Sequence, residues 1–318
     1  MARQRLILVL GLLGGMHAAV LAAGLLAPYH YAEQHRDFPY AAPMKLHLLH
    51  GRPVVFGLVP APDDGYREDP GRSYPLRLLT NGRLFAVDRP GVWFPLGTDA
   101  YGRDVFSRVL YGAQVSVLTG VMAAMLSLSI GWSVGTIAGF FGGWIDQSLM
   151  RTSEFFMALP WLYLLLGVRA ILPLHVGALQ AFWLVIGIIG AVGWVRPARL
   201  IRGVVLSARE RGYVLSARGF GARPIYLIRR HVAPLTWGVL LTQATVLIPQ
   251  YILAEITLSF LGLGIGEPAP SWGNMLSEAR HYHALILHPW LLAPGVAAIP
   301  VLLGYLIAAD LLSGQETS

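Results

Sequence analysis

The stretch VSVLTGVMAAMLSLSIGWSVGTIAGFF, residues 115–141, decides the fold class because it carries no charged side chain over 27 consecutive positions. A helix needs about 20 mostly apolar residues to cross the hydrocarbon core of a bilayer, so this stretch predicts a transmembrane helix. The whole chain agrees, since 55% of it is hydrophobic and 13% is charged, against roughly 25% charged in soluble domains. This composition argues against a soluble enzyme, a disordered chain and a nucleic-acid binder.

Five other apolar runs raise the predicted number of spans to six, which makes the chain an all-α membrane protein. The predicted spans are residues 1–29, 115–141, 152–172, 176–195, 232–258 and 289–309. The third span is the weakest, because its charge-free part runs only from Phe155 to Val168. It crosses a bilayer only if Arg169 extends its guanidinium group to the outer interface.

The net charge of +7 comes from one segment of the chain. Residues 196–230 hold nine arginines and a single acid, Glu210, so they contribute +8 and all other residues together contribute −1. Short loops rich in Lys and Arg lie on the cytoplasmic side of a membrane, and Arg3 and Arg5 indicate the same side for the N-terminus. We therefore expect both termini in the cytoplasm.

This topology divides the chain into three regions: an N-terminal transmembrane helix at 1–29, an extracytoplasmic segment at 30–95 and a helical domain at 96–312. The extracytoplasmic segment has two open interpretations, a solvated loop and a small β-rich subdomain. Two short runs, RPVVFGLVP (52–60) and GRLFAVDRP (82–90), are strand-like and are bounded by Gly and Pro, which favours turns between strands.

The arginine-rich segment, residues 196–234, is predicted to be a compact helical protrusion. Its first part has an apolar face opposite a basic face, as an amphipathic helix does. The arginines of the basic face are Arg199, Arg202 and Arg209. A short helix then passes through Tyr213, Gly219 or Gly221 can end it, and Pro224 can begin another. Such a shape suits the docking of another protein.

The end of this segment, GYVLSARGFGARPIYLIRRHVAP (212–234), resembles the cytoplasmic signature of the permease subunits of binding-protein-dependent ABC importers. That signature reads Glu-Ala-Ala, three residues, Gly, nine residues and Ile-x-Leu-Pro, and the dipeptide, oligopeptide and nickel branch is the most similar. The residues of this chain at and around its positions are Tyr213, Val214, Ser216, Ala217, Arg218, Gly221, Ala222, Arg230, His231 and Pro234. Further similar stretches are 96–116, 138–151 and 253–280, so the resemblance covers about 96–310.

The resemblance implies a type I ABC importer transmembrane domain that forms half of a translocation path in the bacterial inner membrane. The implied partners are a second permease subunit, two cytoplasmic ATPase subunits and an extracytoplasmic solute-binding protein. Residues 196–234 would dock onto the ATPase, which would hydrolyse the ATP. Di- or oligopeptides are the implied substrates, while related systems carry nickel, glutathione or sugars. The alternatives are a secondary transporter that works alone on an ion gradient and an intramembrane enzyme.

Two expectations come from the way the chain matches its family. The Glu of the signature is replaced by Leu215, which removes one family contact to the ATPase, and Glu210 or the arginines can take its place. Residues 97–104 resemble the stretch that precedes the second span in the family, and we expect them to form a helix in the membrane interface.

Small residues and one acid inside the spans each have two interpretations. Gly131, Gly135 and Gly139 are spaced four residues apart, which allows the close approach of a second helix, with a gating hinge as the other interpretation. Glu255 interrupts an apolar run in the fifth span. An acid at this depth either bonds to a neighbouring helix or lines the translocation path.

No catalytic constellation is present in the sequence. There is no G-x-x-x-x-G-K-[ST] loop for ATP, no G-x-S-x-G nucleophile motif and no H-E-x-x-H zinc motif. His281, His283 and His288 precede the last span, but their spacing fits no ligand pattern, so we interpret them as interfacial residues. We predict no catalytic residue, no cofactor, no metal site and no nucleic-acid partner.

Overall fold

A computed structural model of the protein describes residues 2–61, 65–80, 82–171, 173 and 176–316. Four helices are long and apolar enough to cross a membrane, and two bent helix pairs bring the number to six when each pair is one span. The predicted six-span helical membrane fold is confirmed, with a small sheet added to it. Residue 1 of the predicted first span and residue 172, the predicted end of the third, lie outside the described residues.

The elements follow one another in a simple order along the chain. The helices are α1 (Ala2–Leu21), α2 (Ala23–Leu26), α3 (Val105–Phe141), α4 (Gly143–Ala158), α5 (Trp161–Ile171), α6 (Ala178–Gly193), α7 (Val195–Arg209), α8 (Gly212–Gly219), α9 (Pro224–Leu227), α10 (Ala233–Phe260), α11 (Trp272–Leu276), α12 (Tyr282–Leu287) and α13 (Ala293–Glu316). The strands, all between α2 and α3, are β1 (His47–Leu49), β2 (Arg52–Pro60), β3 (Tyr66–Thr80) and β4 (Arg83–Val87).

Helix α3 begins ten residues before the predicted start of its span, at Val105 instead of 115. Asp104 caps it, because its carboxylate accepts hydrogen bonds from the backbone N of Ser107 at 2.8 Å and from the Ser107 hydroxyl at 2.6 Å. The expected interfacial helix at 97–104 is wrong. Gly97 and Gly102 have φ of 74° and 69°, a left-handed conformation that a continuous right-handed helix excludes.

The third predicted span is two helices, α4 and α5, that meet at an angle of 93°. The backbone of Leu159 is extended between them, as expected for a residue that precedes a proline, Pro160. The predicted extension of Arg169 to the interface is also wrong, because its side chain is buried. Its guanidinium group donates to the carbonyl oxygens of Leu263 and, at 2.9 Å, Pro173, so backbone carbonyls satisfy the buried cation.

Helix α7 continues α6 with a bend of 43°, so the first part of the predicted loop 196–234 is the second helix of a bent pair. It packs against the glycine ridge of α3, formed by Gly131, Gly135 and Gly139. A Cβ atom on Gly135 would lie 2.4 Å from the carbonyl oxygen of Ala198, and one on Gly139 would lie 2.9 Å from that of Arg202. Such a close approach supports the helix-packing interpretation of these glycines.

The segment between α2 and α3 contains a four-stranded antiparallel sheet in the order β1-β2-β3-β4. Val55 of β2 and Phe94 are wholly buried and pack with Ala41 and Met44 in a hydrophobic core of their own. The described part of residues 30–95 therefore has the β-rich structure of the second interpretation.

The two ends of the bundle differ in what they carry, and α3 runs between them. At the sheet end, Ser107 of α3 accepts a hydrogen bond from the backbone N of Tyr29 at 3.1 Å. At the loop end, Gly139 of α3 accepts one from Arg209, the last residue of α7, at 3.1 Å. Helices α8 and α9 follow directly from there, so they lie at the opposite end of the molecule from the sheet.

Candidate functional site

Helix α8, at the loop end, stops at a glycine as the sequence predicts. Gly221 has φ of 81°, its backbone N donates to the carbonyl of Arg218 at 3.0 Å, and the backbone N of Ala222 donates to that of Ala217 at 3.1 Å. These two bonds form a Schellman motif, the helix ending that a left-handed residue after the C-cap makes possible. Gly221 is therefore the residue at which the chain turns from α8 toward α9 and α10.

The return segment is one continuous helical stretch rather than a loop followed by a span. Pro224 is the first residue of α9, where a proline fits a helix well, and a π-helical turn over Ile228–Val232 joins α9 to α10. The predicted start of the fifth span, 232, lies inside this stretch, which runs unbroken from Pro224 to Phe260. Pro234 lies in the first turn of α10 and does not interrupt it.

The outer surface of α8, its ending and α9 presents large apolar side chains to solvent. We name it the loop-end patch, and its members are Tyr213, Leu215, Phe220, Ile225 and Tyr226. Phe220 is 93% exposed, the largest fraction among them. The exposed arginines around the patch are Arg211, Arg218, Arg223, Arg229 and Arg230. Sequence analysis missed Phe220, although a large apolar residue beside a helix-ending glycine in an arginine-rich loop was the available signal.

The other predicted docking residues of α8 differ in how deeply they are buried. Val214 is buried and anchors α8, Ser216 is exposed, and Ala217 is partly buried. The ring of His231 lies between two tyrosine rings of the patch, 5.6 Å from Tyr213 and 5.7 Å from Tyr226. His231 therefore packs against both tyrosines of the patch.

An ion pair that sequence analysis did not foresee fixes the helix that leads into α8. The guanidinium group of Arg202, in α7, binds the carboxylate of Asp146, in the first turn of α4, through two hydrogen bonds, one of 2.6 Å. Asp146 thus joins α4 to α7. Arg202 and Asp146 both belong to helices that contact α3, so the helix that precedes α8 is held in place by two neighbours.

A cavity of about 130 Å³ lies in the bundle where α4 meets α5 and α6 meets α7. Its aromatic wall is Trp161 stacked on Tyr251, with 5.8 Å between the ring centroids, and its polar lining includes Arg196 and Gln250. The Tyr251 hydroxyl is 2.9 Å from that of Ser127. The cavity thus offers both aromatic and polar contacts beside helix breaks.

Glu255 is wholly buried near the sheet end of α10. Its carboxylate accepts a hydrogen bond from the Ser259 hydroxyl at 2.6 Å, and the hydroxyls of Ser116 and Ser271 face the same group. These serines come from α10, α3 and the cap of α11. The surroundings support the interpretation that Glu255 bonds neighbouring elements together.

Five charged residues form a second unforeseen site, the sheet-end ionic cluster. Arg103 donates to Asp99 at 2.6 Å and to Glu267 at 2.6 Å, while Arg108 donates to the other Glu267 oxygen at 2.8 Å. Glu278 lies 3.6 Å from Arg103. Because Asp99 and both arginines are buried, the cluster ties the start of α3 firmly to the segments that follow α10.

Two carboxyl groups at the sheet end titrate near neutral pH. Burial raises the pKa of Glu278 to about 7, and the negative charge of Asp99 adds to this effect while Arg103 opposes it. Burial also raises the pKa of Asp104 to about 7, against the effect of its hydrogen bonds from Ser107.

Known proteins similar to this chain are membrane components of transport systems. The family described as "Binding-protein-dependent transport system inner membrane component" matches residues 131–314, more than half of the chain. The dipeptide transport system permease protein DppC of Bacillus subtilis (strain 168) is 41% identical over 58% of this chain and 56% of its own length. A putative peptide permease protein of Brucella suis biovar 1 (strain 1330) is 38% identical over 69% and 70%.

A third relative and one solved structure are also similar to this chain. The oligopeptide transport system permease protein OppC of Bacillus subtilis (strain 168) is 37% identical over 65% of this chain and 66% of its own length. An inward-facing structure of the MetNI methionine ABC transporter aligns with 65% of this chain and 95% of its own, at 16% identity and a TM-score of 0.47. On the family match and the relatives' identity, the chain belongs to the inner membrane components of binding-protein-dependent transport systems.

Proposed function

We propose that the chain is the permease subunit of an ATP-driven importer and that it couples to a separate ATPase through the loop-end patch. A second permease subunit completes the translocation path, two ATPase subunits bind at the loop end, and a solute-binding protein delivers the solute at the sheet end. The loop end faces the cytoplasm, a proposal that the nine arginines of residues 196–230 support.

The loop-end patch is the observation that carries this proposal. Large apolar patches are uncommon on the water-exposed surfaces of proteins, and where they occur they mark protein or membrane contacts. The Schellman motif at Gly221 and the buried anchors Val214 and Leu227 hold the patch in one shape, which favours a preformed protein groove as its partner. Since arginines surround the patch, the groove that fits it has an apolar floor and an acidic rim.

Short peptides are the proposed substrates. The Bacillus and Brucella relatives, which are named dipeptide, oligopeptide or putative peptide permeases, support this class. The cavity beside Trp161 and Tyr251 supports it too, because a peptide presents apolar side chains together with amide and carboxylate groups. Arg196 and Gln250 supply the polar contacts.

The secondary-transporter alternative receives no support from the structure or the relatives. Glu255, the acid that such a mechanism would use for its coupling ion, is wholly buried and hydrogen bonded to Ser259. The relatives are components of transport systems that depend on a binding protein.

Removal of the most exposed aromatic ring of the patch tests the proposed coupling. We expect wild-type chain to co-purify with its ATPase subunit and Phe220→Ser to reduce this binding about tenfold or more, because buried aromatic anchors dominate protein interfaces. Tyr101→Ser is the matched control, since Tyr101 is also largely exposed but precedes α3 at the sheet end. Its binding to the ATPase should equal that of the wild type.

Two results would contradict the proposal. One is a Phe220→Ser variant that retains the ATPase as well as the wild type does. The other is solute uptake driven by an ion gradient in vesicles that contain this chain alone.

A further inference from the structure

A cavity lies at the sheet end, outside the helix bundle. It has a volume of about 820 Å³ and is enclosed by residues 28–38 on one side and 83–93 on the other. Tyr29, Phe38 and Trp93 contribute aromatic surface to it. This volume is typical of a site for a small organic molecule, and the site is separate from both the loop-end patch and the sheet-end ionic cluster.

Two buried ring nitrogens belong to the residues that line this cavity. Within the described part of the chain, neither the Nε1 of Trp93 nor the Nε2 of His35 has a hydrogen-bond partner. Buried polar atoms are nearly always paired, because an unpaired one forfeits its hydration without compensation. Burial also lowers the pKa of His35, so its ring is neutral at neutral pH and its Nε2 can accept or donate.

The walls of the cavity are held in place by contacts that do not involve these two nitrogens. The backbone N of Trp93 donates to the Tyr29 hydroxyl at 2.8 Å, and the backbone N of His35 donates to the carbonyl of Gly102 at 3.0 Å. The Tyr29 and His35 rings meet edge to face with centroids 4.7 Å apart. The site is therefore preorganised, which reduces the entropy lost on binding.

Charges of both signs accompany the aromatic walls. Glu33, Asp37 and Asp88 provide carboxylates, and Arg83 and Arg89 provide guanidinium groups. Arg89 is almost fully exposed, which places its charge at the rim. Glu33 already lies 3.9 Å from Arg83 and 4.0 Å from Arg89, and Asp88 pairs with Arg77 at 2.6 Å. A ligand with an apolar body, an amine and a carboxylate would complement these charges of both signs, whereas a purely apolar ligand would leave the ring nitrogens unpaired.

We infer that this cavity binds a short zwitterionic peptide, one of whose carbonyl or carboxylate oxygens accepts a hydrogen bond from Trp93 Nε1. The choice of a peptide over other zwitterions rests on the proposed function. The site gives the sheet end its own contact with the substrate, apart from the translocation path through the bundle.

Calorimetric titration of the full chain in lipid nanodiscs with the tripeptide Ala-Phe-Ala tests the inference. We expect binding to the wild type, and an affinity about tenfold to a hundredfold lower for Trp93→Phe, which keeps a ring but removes the N–H donor to a charged or polar group. Trp183→Phe, the same substitution at a half-exposed position in α6, should bind like the wild type. The acetylated and amidated tripeptide, which lacks both terminal charges, should bind about tenfold more weakly.

His35→Phe provides a second variant, and a thermal unfolding midpoint equal to that of the wild type would show that each variant is folded. Unchanged affinity in both Trp93→Phe and His35→Phe would overturn the inference. So would the absence of binding to the wild-type chain, the outcome expected if a segment of a partner protein fills the cavity.

Uptake of the same tripeptide by the complete importer in proteoliposomes separates this inference from the proposed function. Uptake without binding to the isolated chain refutes the cavity site and leaves the peptide importer intact. Binding that depends on Trp93, without uptake of any peptide, refutes the importer function and leaves the site.

Discussion

Whether alanine stabilises or destabilises the protein when it replaces a glycine in α3 or α7 depends on where the new methyl group lies. We expect Gly135→Ala to destabilise the protein, because its new Cβ would lie 2.4 Å from the carbonyl oxygen of Ala198 and 3.0 Å from the Cβ of Ile201. Ordinary contacts of a Cβ atom begin at 3.4 Å. Neither neighbouring atom can rotate away, so α3 and α7 must separate by about 1 Å.

The magnitude follows from two opposing effects. Overpacking a close contact costs about 1–3 kcal/mol. Alanine in place of glycine inside a helix returns about 0.5–1 kcal/mol, because it restricts the unfolded backbone. We therefore expect the free energy of unfolding to fall by about 1–2 kcal/mol, which lowers the midpoint of thermal unfolding by roughly 2–6 °C.

Gly203→Ala is the matched control because it makes the same chemical change in the packed partner, α7. A Cβ atom on Gly203 would meet nothing within 4 Å, so only the gain in helix stability remains. We expect the midpoint of this variant to equal or exceed that of the wild type.

Thermal unfolding of the three proteins in one detergent, followed by circular dichroism, measures these shifts. A Gly135→Ala variant that unfolds at or above the wild-type temperature would contradict the prediction, and so would an equal loss of thermal stability in both variants. Either result would mean that α3 and α7 do not approach each other as closely as the structure shows.

Two more predictions concern the ends of the bundle. Gly221→Ala places a side chain at φ of 81°, so it should destabilise the end of α8 by about 1 kcal/mol and raise the number of ATP molecules hydrolysed per peptide imported. Gly219→Ala, at the end of α8, should change neither quantity. Equal ratios of ATP hydrolysed to peptide imported in the two variants would contradict this prediction. Glu278 has a folded-state pKa of about 7 against an ordinary value of 4.5, so the folded protein binds more protons between these values and its free energy of unfolding falls as the pH rises from 4.5 to 7. Glu278→Gln should reduce this slope in unfolding midpoints taken between pH 5 and 8, with the remainder due to Asp104, and an unchanged slope would refute the assignment.

Local patterns predicted the helices and their packing faces well. Charged side chains are costly to bury in lipid, so α3 and α13 could be recognised as spans from their charge-free runs. The four-residue spacing of the glycines indicates that they lie on one face of a helix. The end of α8 at Gly221 was predictable because it depends on the backbone conformation of that glycine. Each of these features depends on residues close together in sequence.

Contacts between distant residues were not predictable in the same way. Glu267 binds Arg103 across 164 positions, and nothing near either residue indicates the other. The burial of Arg169 depends on carbonyls of another segment, and the bend before α5 turned an expected continuous span into two helices. The sheet-end cavity likewise arises where two segments, each unremarkable alone, enclose a space.

Helix α3 has the proportions of a lever. Its 37 residues extend about 55 Å, against roughly 30 Å for the hydrocarbon core, and it contains no proline to absorb a bend. A tilt of about 5° around its midpoint would displace each tip by about 2.4 Å, more than the roughly 0.5 Å over which an N–H···O bond keeps its length. A force that displaces α7 at one tip of α3 would therefore break the ion pairs of Arg108 near the other tip.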